Sequence, residues 1–207
     1  MALIDLIQQQ LDDQTVSQLS QQLGADPAAT RQAVPAALNA LLGGLSQNAQ
    51  QPGGVQQLAG ALGAHDGSLL DNLGGILGGN SPAAVQEDGG GILGHIFGGH
   101  RPAVESRVGQ SSGLNTAQAG RLLMLLAPIV LAYLSRQHRQ QQQQQPGLPG
   151  AGGGSITDIL NGERQRVEEQ HPQHGGILGG ILDRNHDGSI LDDVVGMAGG
   201  ILGGGRR

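Results

Sequence analysis

Residues 115–137 read NTAQAGRLLMLLAPIVLAYLSRQ, the most apolar part of the chain. Asn115 stands where a helix cap belongs, and from Leu122 to Leu134 almost every side chain is aliphatic. The spacing predicts one long helix from Asn115 to about Gln137, and its broad apolar face implies that a core wraps around it. Arg121 and Arg136 flank the run and Pro128 interrupts it. A bilayer span needs about 20 consecutive apolar residues, so a buried core helix is the expected reading.

The rest of the first 138 residues carries weaker helical signals of the same kind. Leu3, Ile4, Ile7 and Leu11, then Val16, Leu19 and Leu23, mark two amphipathic helices with a break near Asp12–Thr15. Gly24 ends the second, and Asp26-Pro27 supplies a cap and a first-turn proline for a third. That third helix is expected to bend at Pro35 and to close at Gly43-Gly44. Two short helices are expected over Val55–Leu62 and Ser68–Leu77, a flexible connector over Gly78–Gly91, and a further helix carrying Val104 and Val108. Residues 24–45 align with 113–134 at an offset of 89 residues: Gly24 meets Gly113, Asp26 meets Asn115, and Val34 meets Leu123. Two related helical hairpins would bury both apolar faces. Chance agreement between two cap-plus-helix patterns is the competing explanation.

Composition narrows the chemistry. Of 207 residues, 38 are glycine and two are aromatic, Phe97 and Tyr133. The core is therefore built from Leu, Ile, Val, Ala and Met. The formal net charge is −6, and all eleven basic residues are Arg. Without lysine there is neither Schiff-base chemistry nor a P-loop lysine. Scattered arginines and missing aromatic platforms argue against a nucleic-acid partner. With no cysteine, disulfides, thiolate zinc sites and thiol nucleophiles are excluded. The seven histidines, among them His95, His100, His171 and His174, offer no adjacent four-ligand shell. No nucleophile elbow and no matched acid–base pair is present, so the expected protein is not an enzyme. The N-terminus lacks the basic and apolar regions of a signal peptide. Together with the core-helix reading this implies a cytoplasmic protein, with membrane association not favoured.

The C-terminal third differs in texture. Residues 139–174 are rich in Gln, Pro and Gly and read as a disordered linker, with one helical turn over Ser155–Leu160. Residues 175–207 then form a Gly-rich unit around DRNHDGSILDD, residues 183–193. Asp183, Asn185 and Asp187 place side-chain oxygens at positions one, three and five of an EF-hand-type loop. Gly188 allows the sharp turn at position six, Ser189 offers a carbonyl at seven, and Ile190 is the apolar anchor at eight. Position twelve is Val194 instead of a bidentate acid, so Asp193 or Asp192 must close the site. The competing reading is a metal-free surface turn. With calcium as the ligand, affinity is expected to be modest, on the order of 10⁻⁵–10⁻³ M. A tetrad, Gly-Ile-Leu-Gly, recurs at 75–78, 91–94, 176–179 and 200–203. It reflects either compositional bias or homo-oligomerisation and membrane-surface contact through close helix approach.

On the segments Gly91–Gly98 (GILGHIFG), Ser112-Gly113-Leu114, Leu122–Leu131 and Ala36–Leu45, the chain resembles the bacterial family called domain of unknown function 937, with YidB-like relatives. The resemblance spans about residues 1–138 and implies a helical bacterial protein, with no catalytic residues to carry over. The loop after 183 resembles those of dockerins and other bacterial EF-hand-like proteins, its closing position excepted. The expected architecture is all-α: a small helical bundle over 1–138, a linker over 139–174, and a helix-loop-helix calcium unit over 175–207. The expected function is a non-enzymatic interaction or structural protein with calcium as a partner, the alternative being a self-assembling or membrane-surface protein.

Overall fold

The computed structural model describes residues 2–64, 67–78, 83–144 and 152–171. Among them the regular elements are all helical: α1 (Leu3–Gln10), α2 (Asp13–Leu23), α3 (Pro27–Gln50), α4 (Gly54–Ala64), α5 (Leu73–Leu77), α6 (Ala83–Phe97), α7 (Arg101–Ser112), α8 (Thr116–Gln144) and α9 (Gly152–Gln170). Short 3-10 turns lead into α5 and α7. The all-α bundle expected from the sequence is the fold observed.

Helix α8 is the axis, and α3, α6 and α7 pack around it. From Leu125 through Ser135 every residue of α8 is buried, so the helix meets protein on all sides there. By length and composition the segment Thr116–Gln140 could cross a membrane, and most of it is covered by the rest of the chain. α3 is the second buried helix. Its faces meet α7, α8 and α9, and all residues from Ala33 to Ser46 are buried.

The two long helices begin alike. Gly24 and Gly113 both take left-handed φ, 66° and 80°, as residues that end α2 and α7. Such a C-terminal stop suits glycine because no Cβ collides with the carbonyl. Asp26 then accepts from the Ala28 N–H at 2.8 Å. Asn115 and Gln118 cap α8 reciprocally, each side chain bonding the other's backbone N–H at 2.9 Å. The two corners also touch: Gln118 Nε2 donates to the Gly24 carbonyl. The 89-residue offset thus joins positions of matching geometry that sit side by side.

Three segments differ from their sequence reading. α3 does not close at Gly43-Gly44 but continues to Gln50. Gly44 is a contact point: a Cβ there would lie 2.5 Å from both Ile96 Cγ2 and Phe97 Cε1 of α6. The connector expected over 78–91 is helical from Ala83, and a Cβ on Gly89 would lie 1.9 Å from the Met124 carbonyl oxygen of α8. The linker expected over 139–174 is helical over Gly152–Gln170, and α8 reaches Gln144. Ile156, Leu160 and Val167 recur down one side of α9 and are buried against the bundle. In each case burial outweighs the roughly 1 kcal/mol that a glycine costs a helix.

Replacing Gly44 tests this account of the packing. Gly44→Val should destabilise the chain by about 1–3 kcal/mol through overpacking against Ile96 and Phe97. Gly94→Ala, where a Cβ meets open space, should be neutral or stabilising. Urea unfolding of both variants checks the contrast, and equal midpoints would refute it.

Candidate functional site

Among the described residues the acidic or basic group buried deepest is Glu163 of α9, 3% exposed. Its Oε2 accepts from the backbone N–H of Leu3 at 2.7 Å, at the first turn of α1. Carboxylates are favoured at that end of a helix, where unpaired N–H groups gather. Its Oε1 accepts from the Tyr133 hydroxyl at 3.1 Å and pairs with the Arg166 guanidinium at 2.7 Å. Tyr133 accepts in turn from Gln137 Nε2 at 2.9 Å. Burial, and next the Glu163 charge, push the Tyr133 phenol well above its ordinary value of 10.0. The cluster ties α9 to α1 and α8. Further along, Gln170 Nε2 donates to Asp5 at 3.1 Å and His171 meets Gln8 at 3.2 Å. The Gln170 bond, and then that from the Ala2 N–H, lower the Asp5 carboxyl below its usual value.

A cavity of about 500 Å³ opens between the C-terminal end of α3, α4, α6 and α8. Leu45, Leu58, Ile96 and Leu131 form buried parts of its wall, and Ala61 and Ile92 are half-buried there. Its polar lining comes from Asn48, Gln51, Gln57 and His95. Asn48 Nδ2 donates to the carbonyls of His95 and Ile96 at 3.2 and 3.1 Å, which fixes α3 to the end of α6. The turn that starts the neighbouring wall needs Gly53, at φ 77°, and Gly54, whose Cβ would lie 1.7 Å from the Asn48 carbonyl oxygen. A second depression of about 470 Å³ lies between α1, α2 and α3, with Ile4, Val34 and Pro35 in its wall. The exposed Asp13–Arg31 ion pair and His171 stand at its edge.

The sequence-derived metal ligands Asp183, Asn185, Asp187, Ser189, Asp192 and Asp193 lie outside the described residues. So do the helix-loop-helix unit over 175–207 and the tetrads at 176–179 and 200–203. In the two described tetrads Ile76, Leu77 and Leu93 are buried in the core, while Gly91 and Gly94 are exposed. Among the described residues no group of three or more His, Asp or Glu side chains could hold a metal ion. Sequence reasoning missed both the Glu163 cluster and the cavity. The Ile156, Leu160, Val167 spacing was the available signal for α9, and nothing in the local sequence announces a cavity assembled from four helices.

The Glu163 cluster makes two measurable demands. Glu163→Ala leaves the Leu3 N–H and the Tyr133 O–H without their acceptor and should cost about 1–3 kcal/mol, whereas Tyr133→Phe should cost less. Because the folded phenol holds its proton more tightly than the unfolded one, its stabilising effect is intact below the unfolded value. It declines as pH rises beyond that value, about 10. Tyr133 is the single tyrosine, so ultraviolet absorbance reports it directly. It should stay un-ionised while the protein remains folded at alkaline pH, and a phenolate signal near the ordinary value would contradict the burial.

The model for a family described as bacterial proteins of unknown function (DUF937) matches residues 5–137. That range takes in α2 to α7 and most of α1 and α8, and so the buried parts of both long helices, both glycine corners and the cavity. No curated protein and no solved structure matches the chain. With the match spanning well over half its length, the chain belongs to the bacterial DUF937 family.

Proposed function

We propose that this chain is a non-enzymatic interaction protein: a helical scaffold that carries a calcium-binding tail. The observation that bears the calcium reading is the alternation of oxygen donors at Asp183, Asn185 and Asp187 directly before Gly188-Ser189-Ile190. Asp193 or Asp192 supplies the closing carboxylate, and the Ser189 carbonyl the remaining protein donor. Oxygen donors of this kind suit a hard cation such as Ca²⁺. The glycines on both sides of the loop make its flanks poor helices alone, so binding and ordering are coupled. The scaffold half of the reading draws support from Glu163, whose carboxylate is engaged in holding three helices together.

The second reading, self-assembly or attachment to a membrane surface, is favoured by the glycines of α6. Gly91 and Gly94 are exposed, and a Cβ on either would meet open space. Under that reading Gly94→Leu changes the light scattering of the chain or its flotation with liposomes, while under the calcium reading it changes neither.

Calorimetric titration with Ca²⁺ tests the main reading. The full chain should show saturable binding on the order of 10⁻⁵–10⁻³ M. The double variant Asp183→Ala/Asp187→Ala should give a flat trace. Flat traces for both proteins would remove the calcium site.

A further inference from the structure

We propose that the cavity between α3, α4, α6 and α8 is a binding site for an uncharged, mostly apolar small molecule with one hydrogen-bonding end. Its volume of about 500 Å³ falls within the roughly 300–1,000 Å³ usual for small-molecule sites. Among the described residues the wall is aliphatic, and its polar side chains are three amides and one imidazole, with no Asp, Glu or Arg. A carboxylate or phosphate ligand would therefore meet no arginine among the described lining residues, and the chain's net charge of −6 disfavours its approach. An ammonium ligand would likewise meet no carboxylate, and losing its hydration uncompensated is costly.

The polar end is defined by Asn48. Both of its hydrogen bonds to described residues are donated by Nδ2, and Oδ1 meets no donor among them. A hydroxyl or amide N–H on the ligand is the group that complements it. Gln51 and Gln57 stand at the same wall, exposed, with amides able to give or take a second bond. Two independent features keep the wall in place before any ligand arrives. Asn48 fastens α3 to α6, and Ser135 Oγ of α8 donates to the Leu62 carbonyl of α4 at 2.8 Å. A preformed site of this kind loses little entropy on binding.

The test uses the full chain and the uncharged fluorescent probe phenylnaphthylamine, with decanol and decanoate as competitors at neutral pH. The probe should bind saturably, and decanol should displace it at a concentration at least about tenfold below decanoate, a difference of roughly 1.4 kcal/mol. Ala61→Trp, which fills the cavity, and Ile92→Asp, which places a charge in its wall, should each weaken the probe at least about tenfold while the helical circular-dichroism signal persists. The proposal is overturned if the probe does not bind, if decanoate competes as well as decanol, or if neither folded variant weakens binding. It is also overturned if binding appears only after Ile177, Leu178, Ile181 and Leu182 are changed to Ser, since the chain's own tail would then be the occupant. None of these outcomes depends on Ca²⁺, so the cavity and the calcium loop stand or fall separately.

Discussion

The bundle depends on close approach between helix backbones. A chain with two aromatic residues cannot fill wide gaps between helices with large rings. Its helices must come nearer to one another, and glycine is what lets them. Gly44 receives the side chains of Ile96 and Phe97 from α6, and Gly89 receives the backbone of α8 at Met124. Aliphatic side chains on either side of these contacts then reach across the shortened distance. The continuous core of Leu, Ile, Val and Ala from α1 to α9 follows from that geometry.

The same constraint explains which parts of the fold were legible in the sequence. The corners at Gly24 and Gly113 were readable because a left-handed glycine followed by Asp26 or Asn115 is a local signal with a local cause. The long α8 was readable because its aliphatic run admits one interpretation. Gly43-Gly44 and Gly89-Gly90-Gly91 were misread as ends and connectors because the local cost of glycine is visible in the sequence and its tertiary benefit is not. Of α9 only the turn over Ser155–Leu160 was legible, for a related reason. Three buried aliphatics spaced along a polar segment look insufficient until the surface they meet on α3 is known.

The two proposed binding sites divide along the chain. The matched family region ends at residue 137 and holds the buried helices and the cavity, and the oxygen-donor segment begins beyond it, at Asp183. The cavity was beyond sequence reasoning, since Leu45, Leu58, Ile92 and Leu131 come from four separate helices. The loop is the reverse case: its evidence is entirely in the spacing of Asp183, Asn185 and Asp187. A scaffold with neutral binding space and a metal-responsive tail would allow one part to vary without disturbing the other.

The bond from the Leu3 N–H to Glu163 joins residues 160 positions apart. During synthesis on the ribosome, α1 therefore emerges long before the carboxylate that seats its first turn. That bond can form only once α9 has been made, whereas the contact of α1 with α5 has all its residues much earlier. A nick or early stop after α8 would consequently deprive the Leu3 N–H of its acceptor and loosen the first turn of α1.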